Sequence, residues 1–494
     1  MVQSSGNAEI WTAGQLEYLF DQSEDVVLLP HTFGENGPNS AEVLLLYGEA
    51  TSNSQLIGEL VLPGLEMAFD RDQGFPTAGT VLSSCLPLLP FVGPITADTI
   101  SESLFEGKLL LVFPHLRSAF IMNISSLPER KPEESNTELS IKGPRDGFVE
   151  NLSVSIALIR KRIRSHTLCC EKFVIGRRTK TKVALMYVRD ILSPEVLLEV
   201  RSRLESIDVD GIYSISQIEE MVTDQKFSLM PLMDYTGRPD FAVSALLNGR
   251  FVLIVDGNPM VLIAPSTMAM QIKSPEDLHN NFYYTSFSRL VRILSIFLCV
   301  LLPGFWVSLA AFHQDQVPFR LLATITIARL GLPFSGQFEL LILLILLEVF
   351  REAGIRLPSA IGQVLTVVGG LIIGDAAIRA GLVSPSVVVV GAITAVSNAT
   401  LVNQNLSSAV SLLRFFLFFL SCILGMFGLI MGIIVVTVYL SKLRSFGVSY
   451  LSPFSPPIYS NWVPAFMRLP WSLMTGRPKN LHTQDKNHKK EDNP

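Results

Sequence analysis

The strongest constraint on this chain is an abrupt change in the solvent it can tolerate. From about Leu290 to Leu440 the sequence is overwhelmingly apolar, while residues 1–285 have an ordinary mixed composition. Across 494 residues, hydrophobic types make up 49% and charged types only 17%, and the shortage of charge falls in that one block. Such a run must bury itself in lipid or protein, and it is long enough for several bilayer crossings of about 20 residues each. The expected fold class is an α/β soluble N-terminal half of two related subdomains followed by an all-α polytopic membrane domain. The divisions suggested are a first subdomain at 1–127, a linker at 128–140 and a second subdomain at 141–286. A helical membrane domain at 287–445 and an interfacial segment with a disordered tail at 446–494 complete the chain.

Several classes are disfavoured. The net charge of −5 gives no bulk attraction to nucleic acid. Five cysteines, odd in number and without a CxxC pair, argue against a disulfide framework and a zinc site. The seven histidines are scattered without metal-ligand spacing. Asp208 and Asp210, or Glu219 and Glu220, have no histidine or third carboxylate nearby in sequence and read as solvated surface. Nucleophile elbow and dinucleotide fingerprint are both missing, so no catalytic residue, cofactor or metal is expected, and the chain is read as a non-enzyme. The first 30 residues hold no basic start leading into an apolar core, which predicts no cleavable signal and a cytoplasmic N-terminal half.

Within the soluble half, "VVLLP" and "AEVLLLYGEA" read as strands. "EGKLLLVFPHLRSAFIMNI" (Glu106–Ile124) and "NGRFVLIVDGNPMVLIAPS" (Asn248–Ser266) share one hairpin layout, the second turning at Asp256-Gly257. Two such hairpins suggest a duplicated subdomain. Between them, Ser125–Ser140 is rich in Pro, Ser and charge and reads as a solvated linker. The segment "IKGPRDGFVENLSVSIALIRKRIR" (Ile141–Arg164) predicts a helix capped by Asp146 from Gly147, with Phe148, Leu152, Ile156, Ile159 and Ile163 on one face. Its last turns carry Arg160, Lys161, Arg162 and Arg164, where the helix dipole favours cations. They are candidates for a basic helix end facing lipid or another subunit; "GPRDG" lacks the Gly-Lys-Ser/Thr of a phosphate loop. Further helices are expected after Ser193-Pro194 and from Ser214 or Ser216.

In the apolar half, Leu290–His313 can span a bilayer, with Arg289 and Arg292 at the cytoplasmic end. Phe319–Gly336, interrupted by Arg329 and Pro333, reads as re-entrant or interfacial. The next span contains Glu339 and Glu348, and the stretch from Ala409 to Arg444 reads as one long final span. Between them, Ser359, Gln363, Thr366, Gly370 and Gly374 recur at steps of three and four, placing small and polar groups on one helix face. Such a stripe either lets helices pack closely or lines a pore, with Val367 and Ile373 as hydrophobic constrictions. Asp375 and Arg379 are spaced to pair. Ser397, Asn398, Asn403, Gln404 and Asn405 are too hydrophilic to face lipid, and Trp462 and Trp471 suit a membrane-interface belt.

These stretches resemble a known family. "IKGPRDGFVENL…LIRKRIR", "IGRRTKTKVALMYV", "RPDFAVSALLNGRFVLIVDGNPMVLIAP", "VFREAGIRLPSAIGQVLTVVGGLIIGDAA" and "SFGVSYLSPFSP" occur in the order found in GerA-type A subunits of the nutrient germinant receptors of spore-forming bacteria. "FSLMPLMDYTGRPD" departs from the family pattern: Met230-Pro231 and Gly237-Arg238-Pro239 stand where a Phe-Pro and a Glu-Arg-Pro-Asp-like turn are more usual. The resemblance implies a homo-oligomer in the spore inner membrane, partnered by a transporter-like B subunit and a lipoprotein C subunit. It implies a ligand-gated channel for monovalent cations that triggers germination. It favours the pore reading of the polar stripe and makes Glu339, Glu348 and Asp375 candidates for attracting cations, since intramembrane acids are costly and often functional. The alternatives are a non-conducting signalling scaffold or a secondary transporter subunit.

Overall fold

The computed structural model describes residues 12–34, 40–82, 86–91, 95–126, 142–356, 374–470, 472–474 and 476–488. The Ser125–Ser140 linker lies almost wholly outside them. Two five-stranded sheets form the soluble half. The first contains β1 (Val26–Phe33), β2 (Ala41–Gly48), β3 (Leu89–Pro90), β4 (Lys108–Phe113) and β5 (Ser118–Asn123), in the order β1-β2-β4-β5-β3. The second contains β6 (Leu168–Ile175), β7 (Thr181–Val188), β8 (Asp234–Thr236), β9 (Phe251–Val255) and β10 (Val261–Ala264), in the order β6-β7-β9-β10-β8. Position for position the orders are the same, and every neighbouring pair is antiparallel. The two matching hairpins in the sequence are β4–β5 and β9–β10, and Gly257 takes φ +81° at the second turn.

Both faces of each sheet are covered. In β9, Val252 and Ile254 enter one core, while Phe251, Leu253 and Val255 enter the other. In β2, Val43, Leu45 and Tyr47 divide from Leu44 and Leu46 in the same way. This is the two-residue period of a strand buried on both sides. Helix Pro194–Glu205, turned inward through Val196, Val200 and Leu204, and helix Ile215–Val222, capped by Ser214, cover one face of the second sheet.

The helix of the Ile141–Arg164 segment is shorter than expected. It runs from Leu152 to Arg160, and its cap is Asn151, whose Oδ1 accepts from Val154 N at 3.2 Å. Residues before it form an extended strap: Phe148 N donates to Gly237 O at 2.9 Å, and Ser155 Oγ donates to Val149 O at 2.9 Å. Asp146 is drawn away to Arg162, 2.5 Å from its Nη2. The apolar face survives, since Phe148, Leu152, Ile156, Ile159 and Ile163 all join one core.

In the apolar half, Phe282–Phe312 and Gln404–Lys442 are long and apolar enough to cross a membrane. The second is not one straight rod. Gly425 breaks it with φ +62° and ψ −140°, a conformation open to glycine. A Cβ on Gly428 would lie 2.2 Å from Leu420 O, and one on Gly432 would lie 2.4 Å from Leu417 Cδ2. Residues eight and fifteen apart on a straight helix are roughly 12 and 22 Å apart at 1.5 Å per residue. The chain therefore folds back at Gly425, and the stretch expected as one long span is two antiparallel arms, 404–424 and 426–442. Glycine makes this close backbone approach possible. At the tip, a Cβ on Gly425 would meet Phe312 Cγ at 2.9 Å, so the bend sits against the far end of helix Phe282–Phe312. Helices Gly336–Arg356 and Pro385–Ala399 pack alongside, with Leu343 against Gly391. Ile423 and Phe427 remain exposed on the outside, as suits an apolar surround.

The C-terminal segment also differs from expectation. Phe446 inserts into the second subdomain core, its ring 4.9 Å from that of Phe251. The polar tail is folded through residue 488: Leu481 is buried, and Gln484 Nε2 donates to Leu192 O at 2.9 Å. Composition suggested disorder, but the tail's backbone and amides find partners on the subdomain surface. Trp462 stacks near Tyr459 and donates from Nε1 to Pro453 O at 3.1 Å; Trp471 lies outside the described residues.

Candidate functional site in the apolar half

The helical half is held to the soluble half through a dense polar junction. Asp277 binds Arg289 Nε at 2.9 Å and Arg292 Nη2 at 2.9 Å, where helix Phe282–Phe312 begins. Burial alone would raise the Asp277 carboxyl, but the two guanidiniums outweigh it and hold it below the usual carboxylate range. Arg468 donates to the carbonyls of Asp277, Leu278 and Asn280. Asn403 Nδ2 donates to Asp234 Oδ1 at 2.6 Å at one foot of the hairpin, and Tyr439 Oη accepts from Leu229 N at 2.7 Å near the other. Tyr450 Oη donates to Gln271 Oε1 at 2.8 Å. Met230 and Leu232 share an apolar cluster with Cys299, Leu406, Leu413 and Tyr450. The Met-Pro departure in the sequence therefore sits at this junction.

Deeper in the bundle lies a cluster of charge. Helix Gly336–Arg356 carries Glu348, whose Oε2 accepts from Arg414 Nη2 at 2.9 Å and whose Oε1 accepts from Arg351. Arg351 Nη1 reaches Ser407 Oγ at 3.3 Å, and Ser407 Oγ donates to Asn398 Oδ1 at 3.0 Å. Arg414 is buried against Cys299 and lies over the ring of Phe415, 5.2 Å from its centroid. Two arginines and one carboxylate leave this group with one excess positive charge. One helical face further along, Glu339 is fully buried. Its Oε2 accepts from Ser384 N at 2.9 Å, at the N-terminus of helix Pro385–Ala399, where a negative charge is favoured. Arg329 Nε lies 3.5 Å from its other oxygen.

All three carboxylates expected to draw cations already hold an arginine, since Asp375, on the surface, pairs with Arg379 at 2.8 Å. Of the polar stripe, Ser359, Gln363, Thr366, Val367, Gly370 and Ile373 lie outside the described residues. Gly374 is buried, where an added Cβ would stand 3.6 Å from Val388 Cγ1.

The basic helix end is not one surface. Arg160 is fully buried, with Nε and Nη2 on Asp25 at 2.8 and 2.7 Å, Nη1 on Leu168 O at 2.6 Å, and its guanidinium 4.1 Å from the Phe105 ring centroid. It faces the first subdomain, not lipid, because that subdomain supplies a buried carboxylate to meet it. Arg162 pairs with Asp146, Arg164 with Glu106 at 2.6 Å, and only Lys161 of the four is exposed without a partner among the described residues.

Arg414 was not singled out from sequence, although one arginine within "SLLRFFLFF" was the available signal. Asp25 and Asp277 carry no local signal, for their partners are 135 and 12 to 15 residues away. Among the described residues, no group of three His, Cys, Asp or Glu is placed to hold a metal.

These features define a protein with a duplicated soluble half clamped to an apolar helical half that has a charged centre. Comparison with known proteins gives its family. The family described as Bacillus/Clostridium GerA spore germination protein matches residues 14–480. Spore germination protein XA of Bacillus anthracis is 46% identical over 396 residues, 80% of each chain. Spore germination protein KA of Bacillus subtilis is 35% identical over 464 residues, 94% of this chain and 85% of that one. The crystal structure of the N-terminal domain of the A subunit of the Bacillus megaterium spore germinant receptor GerK3 aligns at 25% identity with a TM-score of 0.41, covering 54% of this chain and 99% of that one. The chain belongs to the GerA family.

Proposed function

We propose that this protein is the A subunit of a nutrient germinant receptor, seated in the spore inner membrane with its soluble half in the cytoplasm. It assembles as an oligomer with a transporter-like B subunit and a lipoprotein C subunit, and opens a path for monovalent cations when nutrient is sensed. The observation that carries this reading is the family match across residues 14–480. The polar stripe Ser359–Gly374 supports it, because in the sequence Ser359, Gln363, Thr366, Gly370 and Gly374 recur at steps of three and four within an apolar stretch. The junction at Asp277, Asn403 and Tyr439 supports a coupling role, because a movement of the second subdomain would be passed to the feet of helix Phe282–Phe312 and of the hairpin. Coupling requires differential contacts in two states rather than proximity alone.

A second reading, a non-conducting signalling scaffold, is favoured by the arginines already bound to Glu339, Glu348 and Asp375. The test of the receptor role is potassium release from dormant spores of a strain lacking this gene, exposed to a panel of nutrients. Loss of the response to at least one nutrient, restored by the gene, is expected. A full response to every nutrient that elicits release from the parent would refute the assignment.

A further inference from the structure

A cavity of about 370 Å³ opens between the second subdomain, the start of helix Phe282–Phe312 and the C-terminal segment. That size suits a small-molecule group, for which cavities of roughly 300–1,000 Å³ are usual. Its wall is strongly cationic, carrying Arg250, Lys273, Arg289 and Arg468 against the single carboxylate of Asp277. That carboxylate is already engaged: Oδ2 receives Arg289 Nε at 2.9 Å and Arg292 Nη1 at 3.0 Å, and Oδ1 receives Arg292 Nη2 at 2.9 Å. Arg250 donates from Nε to Pro265 O at 3.0 Å, and a carbonyl does not cancel its charge. Arg468 likewise donates to three backbone carbonyls.

The Lys273 ammonium makes no hydrogen bond or ion pair among the described residues, although its backbone N donates to Met270 O at 2.9 Å. Burial and the nearby Arg289 and Arg250 push its ammonium down to about 7. A half-buried ammonium that faces two arginines, with only the already engaged Asp277 carboxylate to offset them, is stabilised when an anion binds beside it. The hydroxyl of Ser244 and the amide of Asn480 also line the cavity and could hold oxygens.

We infer that this cavity binds an anionic phosphate or carboxylate group, with Lys273 as its direct counter-ion. The inference does not depend on conduction. Two sources carry that chemistry. One is the headgroup of an anionic phospholipid, since the cavity adjoins the start of an apolar helix bearing exposed Tyr283, Tyr284 and Phe287. The other is a soluble phosphate or carboxylate.

The test uses the full chain in neutral detergent, checked for folding by size exclusion. In one arm it is titrated with inorganic phosphate and with acetate and followed by equilibrium dialysis. In the other it is placed in nanodiscs of phosphatidylcholine with or without phosphatidylglycerol, and bound lipid is counted by native mass spectrometry. Saturable binding of one phosphate, acetate or phosphatidylglycerol per chain is expected. Lys273→Met and Lys273→Gln should weaken it about tenfold or more, as loss of one charge-assisted hydrogen bond would. Lys273→Arg should retain it, and Lys226→Met, at an exposed lysine, should change nothing. Without ligand, Lys273→Met should unfold at a higher temperature than wild type, because it removes an unpaired charge. Phosphate or acetate binding alone would identify a soluble ligand, and phosphatidylglycerol alone a lipid site. If the wild type binds none of the probes, or if folded Lys273→Met or Lys273→Gln binds as the wild type does, the inference is overturned.

Discussion

Replacing Arg160 with Met should loosen the two soluble subdomains from each other. The side chain is fully buried, and its partner Asp25 has 3% of its side chain exposed. Methionine fills part of the volume but leaves the carboxylate without its bidentate partner. Removing one member of a buried pair costs about 3–5 kcal/mol, which corresponds to roughly 10²–10⁴-fold in an opening equilibrium at 1.4 kcal/mol per tenfold. Two amides report that opening directly. Glu24 N donates to Cys170 O at 2.9 Å and Cys170 N donates to Gln22 O at 3.2 Å, so both are protected only where the subdomains touch. Hydrogen exchange on the full chain should show these amides accelerating by that factor in Arg160→Met, while the centres of β2 and β9 change little. The double variant Asp25→Leu with Arg160→Met removes both charges and should recover most of the protection. Acceleration of less than tenfold in the single variant would refute the reasoning, since it would give this pair the small energy of an exposed one.

Other expectations follow from the same contacts. Gly425→Ala should destabilise the hairpin by about 1–3 kcal/mol through its backbone conformation alone, more with the Phe312 clash, and should lower the unfolding temperature in detergent; an unchanged temperature would contradict the fold-back. Arg414→Met should cost about 2 kcal/mol by removing a charged hydrogen bond to Glu348, and adding Glu348→Gln should cost much less than a second such loss, as a thermal double-mutant cycle would read. Asp277 is held below its unfolded value near 3.9, so its contribution to stability is complete above that value and lost as pH falls through the depressed folded one. Unfolding temperatures measured from pH 6 to pH 2.5 should therefore fall less steeply on the acid side for Asp277→Asn than for wild type, and equal slopes would count against the pairing.

Much of the fold was legible because it rests on local pattern. The short apolar runs "FVLIV" and "VLLLY", the Asp256-Gly257 turn and the Ser193-Pro194 start are signals within a few residues, and all appear in the structure. The helix after Asp146 was misplaced because a distant partner, Gly237, holds Phe148 in an extended strap that local capping rules do not see. The hairpin at Gly425 was read as one span because both arms are apolar throughout. Only the Gly425, Gly428 and Gly432 series hinted at a close approach. Arg160 was misread for the same reason as the strap: a basic run looks solvated until Asp25, far away in sequence, is brought beneath it. The charged centre was half legible, with Glu348 and Asn398 marked by their cost in an apolar setting. Arg414 became evident only when the bundle closed around Glu348.

The central claim is that this subunit itself provides the path for cations. Potassium flux through liposomes containing only the purified, oligomeric protein tests it most directly, comparing wild type with Gln363→Leu and Thr366→Trp. Flux from the wild type that either variant abolishes or markedly changes is the predicted result. An absence of flux from well-folded oligomer, which neither nutrient nor the B subunit restores, would contradict the claim and leave the protein a scaffold.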